Sequence, residues 1–244
     1  MEKVMGQMIH LTSADGVQIA AYDVSPMATP KGEGVTARGA VVVLQEIFGL
    51  NGHIRNVADG YAEAGYYVIA PAMFHRVAAG TELGYTPDDI PKGFALKAAA
   101  EALLPALLGD IQAAIDHAAR AGKAAGAPKS LKVGIVGYCW GGLLSWRAAQ
   151  KLQGLAASAP YYGGGMHKEL VGALNCPVMA HLSNQDDYVP MDGVAELQKA
   201  YPQTTVHIYP AKHGFNCDER ASYDAPSAIL ARERTLVFFE QHLT

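Results

Sequence analysis

Residues 134–142 read GIVGYCWGG, and this stretch determines how the rest of the chain is interpreted. A continuous apolar run ends at Gly137, a single cysteine, Cys139, follows, and two more glycines open the helical pattern WGGLLSWRAAQKLQ. Small residues on both sides of one reactive side chain are typical of a sharp turn between a buried strand and a helix. We therefore interpret Cys139 as a nucleophile. The alternative is a buried structural cysteine, because free cysteine is among the most buried residue types.

Apolar runs without alternation recur on both sides of this stretch, at 39–46, 66–71, 131–137, 155–163, 177–183 and 204–210. Strands that are buried on both faces of a sheet have this pattern. Segments with helical spacing lie between them, at about 53–64, 110–124, 140–152, 191–200 and 226–242. The alternation predicts an α/β fold, with a mostly parallel central sheet flanked by helices on both faces. We expect residues 1–244 to form a single domain.

Two segments depart from this alternation. Residues 8–24, MIHLTSADGVQIAAYDV, read as two short strands around a turn, which predicts an antiparallel hairpin at the edge of the sheet. Residues 72–109 contain an alanine- and leucine-rich stretch in which Pro105 is expected to interrupt or end any helix. This segment is either an insertion over the carboxyl edge of the sheet, where open α/β sheets bind ligands, or an ordinary long connection.

The composition excludes several classes of protein. Hydrophobic residues make up 50% of the chain and charged residues 17%, which is the balance of a well-buried globular protein. The formal net charge of −4, without any run of lysine or arginine, argues against nucleic acid as a partner. The N-terminal residues lack the apolar core of a signal peptide, and no segment has the length of a membrane span. We expect a cytoplasmic protein without a membrane partner.

Three cysteines are too few and too widely spaced for a disulfide framework or a zinc cage, so we expect a reducing compartment and no metal. Cys176 precedes a proline that opens a strand, and we interpret it as part of the core. Cys217 follows a candidate catalytic histidine closely, so it could line the pocket without doing chemistry.

A thiol nucleophile needs a base, and the base needs an orienting carboxylate. In α/β hydrolases the chain order is nucleophile, acid, histidine, with the later partners on loops that follow strands. NQDDYVP (184–190) follows one predicted strand and AKHGF (211–215) follows the next. This order selects His213 as the base. The residues alone leave Asp186 and Asp187 as alternatives for the acid, because adjacent side chains point in different directions.

Five motifs together resemble the dienelactone hydrolase family of α/β hydrolases. They are QEIFGLN (45–51), APAMFHR (70–76), GYCWGG (137–142), DDYVP (186–190) and HGF (213–215). The resemblance covers nearly the whole chain, and it favours Asp186, the first residue of the D-x-x-V-P string. It implies a Cys-His-Asp triad that opens an unsaturated lactone to a dicarboxylate by way of a thiol ester, in the degradation of aromatic compounds.

The resemblance also implies roles for two residues outside the triad. Glu46 corresponds to the glutamate that contacts the resting thiol and helps to generate the thiolate, and Arg76 to an arginine that grips the substrate carboxylate. The founding members have a second arginine after the histidine, where this chain has Cys217. Arg220, three residues further on, could reach the same space from a displaced loop.

The backbone N–H groups of Ile47 and Trp140 are expected to form the oxyanion hole, because hydrolases of this fold use the residue after the nucleophile and a loop after an early strand. We expect a small-molecule lactone or ester as substrate, and no metal or organic cofactor. The sequence does not fix the oligomeric state, and it is compatible with a monomer. Two alternatives remain open, a general carboxylesterase or thioesterase on the same scaffold and a non-catalytic ligand-binding homologue.

Overall fold

A computed structural model describes residues 6–26, 36–124 and 130–244 of the chain. Its strands are β1 (Gln7–Thr12), β2 (Gln18–Val24), β3 (Ala40–Leu44), β4 (Tyr67–Pro71), β5 (Val133–Tyr138), β6 (Leu155–Tyr161), β7 (Met179–Gln185) and β8 (Thr205–Lys212). They form one sheet in the order β1-β2-β4-β3-β5-β6-β7-β8. The β1–β2 and β2–β4 pairs are antiparallel and all the others are parallel, so the predicted edge hairpin is confirmed.

Helices cover both faces of this sheet. They are α1 (Gly52–Glu63), α2 (Asp89–Glu101), α3 (Leu104–Ala124), α4 (Trp140–Lys151), α5 (Met191–Ala200) and α6 (Ala225–Leu243). In β3, Val41 and Val43 pack with residues of α1 and α6, whereas Val42 and Leu44 pack with residues of α3. Successive side chains of a strand point to opposite faces, so burial of both faces makes the sequence continuously apolar, as predicted.

The segment 72–109 contains a helix that the periodicity did not delimit. Residues Asp89–Glu101 form α2, and α3 begins at Leu104, before the predicted start at 110. Pro105 lies in the first turn of α3, where its missing N–H costs no helical hydrogen bond. The chain bends by 92° between the two helices. Among the described residues no single helix is long and apolar enough to cross a membrane, and only this bent pair meets those criteria jointly.

The topology places the chemistry at one edge of the sheet. Strands β3, β5, β7 and β8 run parallel, so their carboxyl ends lie at the same edge. Glu46 follows β3, Cys139 follows β5, Asp186 follows β7 and His213 follows β8. Residues that are far apart in the sequence therefore meet above this edge.

Candidate active site

Cys139 stands at the junction of β5 and α4 in a backbone conformation that L residues rarely adopt, with φ 55° and ψ −114°. The neighbouring glycines make this turn possible. A Cβ atom on Gly137 would lie 1.9 Å from the carbonyl oxygen of Gly141, and one on Gly141 would lie 2.4 Å from the carbonyl oxygen of Leu44. Strained positions of this kind cluster at functional sites. The strand–turn–helix arrangement around the cysteine is the one that the sequence predicts.

His213 connects Cys139 with Asp186. Its Nε2 atom lies 3.1 Å from the Cys139 sulfur, and its Nδ1 atom lies 2.8 Å from Asp186 Oδ2. The other carboxylate oxygen of Asp186 accepts a hydrogen bond from the backbone N–H of Tyr188 at 2.8 Å. Of the two acids that the residues left open, Asp186 reaches the imidazole, whereas Asp187 lines the neighbouring cavity.

The surroundings of His213 favour its charged form. Burial lowers the pKa of His213, but the charge of Cys139 and the hydrogen bond to Asp186 outweigh it and raise the pKa to about 10. The rings of Tyr162 and Tyr188 pack edge-on against the imidazole, with centroids 5.1 Å and 4.8 Å away. A fixed imidazolium beside sulfur stabilises a thiolate, which is the nucleophilic form of cysteine.

Ile47 and Trp140 both line the cavity beside the Cys139 sulfur. Trp140 is the first residue of α4, so no carbonyl of that helix accepts its N–H. The indole of Trp140 is held in place, because it stacks on Phe74 with centroids 5.0 Å apart and donates to Glu101 Oε1 at 2.6 Å. Free N–H groups at a helix start suit a developing negative charge.

Glu46 and Arg220 form an ion pair in the same region. Glu46 is fully buried, and its Oε1 atom accepts a hydrogen bond from Arg220 Nη1 at 3.1 Å. Burial lowers the pKa of Arg220, but the negative charges of Glu46 and Cys139 outweigh it and raise the pKa. Arg220 lines the cavity together with Cys139. Arg220 therefore lies beside the cavity, as expected for a residue that replaces the family's second arginine.

Arg76 does not join these residues, which corrects its expected position in the substrate pocket. Its Nε and Nη2 atoms donate to both carboxylate oxygens of Asp110 at 2.7 Å, and Nη1 and Nη2 donate to Asp15 at 2.8 Å and 3.0 Å. The hydrogen bonds to Asp110 and then to Asp15 raise the pKa of Arg76. The guanidinium of Arg76 is thus already paired with two carboxylates. Arg76 is not among the described residues that line the cavity.

A cavity of about 480 Å³ opens onto the Cys139 sulfur. Part of its wall is apolar and comes from Phe48, Phe94 and Tyr188. Three permanent cations line it, namely Lys97, Lys168 and Arg220, against a single carboxylate, that of Asp187, among the described residues. Such a lining suits an anionic ligand with an apolar body.

Helix α2 supplies Ile90, Phe94 and Lys97 to the cavity wall, so the segment 72–109 does lie over the carboxyl edge of the sheet. Sequence reasoning missed Lys97 and Lys168 as lining residues. Lysines on a helix and in a short 3-10 turn give no signal that separates them from ordinary surface lysines.

The two remaining cysteines have different surroundings. Cys176 is buried in the core with Trp146 and Val178, as predicted. Cys217 is fully buried but is absent from the cavity lining in the described residues, so the expectation that it could line the pocket is wrong. It lies instead in a buried cluster with Glu46 and His53.

Comparison with known proteins identifies the family. Residues 25–243 match the sequence profile of the dienelactone hydrolase family. A carboxymethylenebutenolidase of Pseudomonas putida is 33% identical over 231 residues, which cover 92% of this chain and 95% of that protein. A protein of Synechocystis sp., provisionally named a carboxymethylenebutenolidase, is 34% identical over 245 residues, which cover 93% of each chain.

The comparison with solved structures agrees. A crystal structure from Klebsiella pneumoniae subsp. pneumoniae, of a protein provisionally named a dienelactone hydrolase, matches with a TM-score of 0.77 and 28% identity. The match covers 98% of this chain and 100% of that chain. The predicted α/β-hydrolase architecture is therefore confirmed, and so is the assignment to the hydrolases. From the match over residues 25–243 and the two relatives above 30% identity, it follows that this chain belongs to the dienelactone hydrolase family.

Proposed function

We propose that this protein hydrolyses a small lactone or ester that carries a carboxylate, through a thiol ester on Cys139. One observation carries the proposal: the hydrogen-bonded series Cys139, His213, Asp186 faces a cavity lined by Arg220 and two lysines. The series supplies a nucleophile with its base, and the cations supply recognition of an acid group. The names of the relatives, which refer to a butenolide lactone, agree with such a substrate.

The first half of the reaction acylates the cysteine. The Cys139 thiolate attacks the acyl carbon, and the carbonyl oxygen becomes an oxyanion that accepts hydrogen bonds from the N–H groups of Ile47 and Trp140. Collapse of this intermediate breaks the bond from carbon to the leaving oxygen, and His213 gives that oxygen a proton. In a lactone the leaving oxygen stays in the same molecule, so ring opening leaves an open-chain acyl group on the sulfur.

The second half releases the product. Neutral His213 now accepts a proton from water, the hydroxide attacks the thiol ester, and the sulfur leaves as a thiolate beside the re-formed imidazolium. Asp186 keeps Nδ1 protonated throughout, so Nε2 always faces the sulfur. The product of a carboxylate-bearing lactone is a dicarboxylate.

Arg220 links substrate binding to the nucleophile. A substrate carboxylate that binds its guanidinium competes with Glu46 for Nη1, which donates to Glu46 Oε1. The resemblance to the family implies that Glu46, once released, assists formation of the thiolate. A thiolate is also a better leaving group than an alkoxide, so attack on a stable amide tends to revert. Activated lactones and esters therefore suit this site better than peptides.

Paired substrates test this proposal. We expect kcat/KM for an unsaturated lactone with a free carboxylate to exceed that for its methyl ester by at least about tenfold, as a charge-assisted hydrogen bond is worth roughly 1.5–3 kcal/mol. Lys97→Gln is expected to reduce the ratio of these two kcat/KM values, because it removes a cation from the cavity wall. Lys92→Gln, on the same helix but outside the cavity lining, is the matched control and should leave it unchanged. Equal rates on both substrates would instead favour a general carboxylesterase, for which the apolar wall is sufficient.

A further inference from the structure

A second group of reactive side chains lies next to the proposed active site. Glu46, His53 and Cys217 are all buried, and each offers a ligand atom within 4.8 Å of those of the other two. The three residues come from different segments. Glu46 follows β3, His53 is the second residue of α1, and Cys217 lies in the loop after β8. The reaction proposed above uses only the first of them.

Two of these side chains have a buried polar atom without a partner. Glu46 Oε2 and His53 Nε2 accept or donate no hydrogen bond within the described parts of the chain. Glu46 is 0% exposed and His53 is 3% exposed. Because a buried polar group without a partner costs free energy, most such groups in native proteins have one, be it a protein atom, a water or an ion. Two buried atoms without a hydrogen-bond partner in one cluster indicate a ligand that both of them bind.

The other atoms of these side chains are already engaged, in the way that metal ligands are. His53 Nδ1 lies 2.9 Å from Asp218 Oδ1 and donates to this carboxylate, so Nε2 is the ring nitrogen that is left to bind an ion. Arg220 holds Glu46 Oε1, which leaves Oε2 free.

The local charges also favour a cation. Glu46 and Asp218 each carry a negative charge, and Arg220 is the only permanent cation paired with this group in the described parts of the chain. This leaves one negative charge without a compensating cation, which favours a bound divalent ion. His53 and Asp218 also line a separate surface cavity of about 230 Å³, and Cys139 is not among the described residues that line it.

We propose that Glu46, His53 and Cys217 form a binding site for a divalent transition-metal ion, with Zn²⁺ as the best fit. One carboxylate oxygen, one imidazole nitrogen and one thiolate match the ligand preferences of Zn²⁺, and three protein ligands leave a fourth position for water. Tetrahedral coordination places ligand atoms about 3.5 Å apart, so the separations, which are at most 4.8 Å, have to shorten by up to about 1.3 Å when the ion binds.

Occupation of this site has a consequence for the activity, which rests on the proposed function. Glu46 would be shared between the ion and Arg220 and could no longer respond to substrate. We therefore expect Zn²⁺ to lower the hydrolytic rate, and a chelator to restore it. The pair Cys139 and His213 is itself a potential thiolate–imidazole site, so the binding experiment is done without that sulfur.

Metal binding is measured on the full chain with Cys139→Ala, so a failure of the proposed hydrolysis cannot affect the result. Calorimetry with Zn²⁺ should show one ion per chain, and Co²⁺ should give a sulfur-to-cobalt charge-transfer band and tetrahedral visible spectra. Adding Cys217→Ser or His53→Gln should weaken binding at least tenfold, and Cys217→Ser should abolish the charge-transfer band. Cys176→Ser, in a different part of the core, is the matched control and should change neither.

Three results would overturn the proposal. These are no binding of Zn²⁺ or Co²⁺, binding that Cys217→Ser and His53→Gln leave unchanged, and a cobalt spectrum without sulfur character. Circular dichroism establishes that each variant is folded. If Cys217→Ser does not fold, His53→Gln decides, because its amide keeps the size of the side chain and loses the imidazole nitrogen.

Discussion

Arg220 and Glu46 form an ion pair at the wall of the cavity, with Arg220 Nη1 3.1 Å from Glu46 Oε1. The Glu46 side chain is 0% exposed, so it depends on this partner. Removing one member of a buried pair leaves the other charge without compensation, and this is far more costly than removing both.

A double-mutant cycle tests the coupling of this pair. We expect Arg220→Gln to lower the free energy of unfolding by about 3 kcal/mol, because the Glu46 carboxylate stays buried without a cation. Glu46→Gln should cost less, and the double variant should be more stable than Arg220→Gln alone. Chemical denaturation of the four proteins measures the cycle. Additive effects would show that the two side chains do not interact.

The two adjacent acids provide a matched comparison. Asp186→Asn keeps the size of the side chain but removes the carboxylate that orients His213, so we expect kcat to fall by roughly 10²- to 10⁴-fold. Asp187→Asn removes the neighbouring carboxylate, which lies on the cavity wall and does not contact the imidazole. Its kcat should stay within a few-fold of the wild type. Equal losses in the two variants would contradict the assignment of Asp186.

The pH dependence of His213 can be followed by NMR of its imidazole nitrogens. Its pKa is raised from 6.5 to about 10, because the charge of Cys139 and the hydrogen bond to Asp186 outweigh the effect of burial. The pKa of His213 is higher in the folded state than in the unfolded state. Protonated His213 therefore stabilises the folded protein fully below pH 6.5, and this stabilisation is lost as the pH rises through about 10. In Cys139→Ala the titration should move to lower pH. An unchanged titration would mean that the sulfur carries no charge.

Arg76 should behave as a structural residue. Arg76→Ala leaves the Asp110 carboxylate, which is 4% exposed, without its bidentate partner. We expect a loss of about 3 kcal/mol in the free energy of unfolding and an unchanged preference between the anionic lactone and its methyl ester. Denaturation and paired kinetics measure the two quantities. A selective loss on the anionic substrate alone would return Arg76 to the binding site.

Local patterns predicted the parts of the site that local geometry controls. The turn at Cys139 follows from glycines placed where no Cβ fits, and the positions of Asp186 and His213 follow from loops after consecutive strands. Loops that follow parallel strands lie at the same edge of the sheet. The order of the residues in the chain was therefore sufficient to predict that Asp186 and His213 lie close together.

Residues whose partners come from distant segments were not predictable in this way. Whether an arginine binds substrate or a carboxylate of its own protein depends on the residues that the fold places beside it. For Arg76 the neighbouring residue is Asp110 on α3, and the two form an ion pair. The chain order nucleophile, acid, histidine gives no role to His53, because it precedes the nucleophile in the sequence. Its contact with Asp218 and the cluster around Glu46 arise only when β3, α1 and the loop after β8 are packed together.

The thiol ester on Cys139 is the central claim, and mass spectrometry of the acid-quenched protein tests it most directly. After brief mixing with an activated ester, we expect one acyl group per chain, located on the peptide that contains Cys139, which disappears on longer incubation and never forms in Cys139→Ala. An acyl group on another residue, or full turnover by Cys139→Ala, would contradict the account.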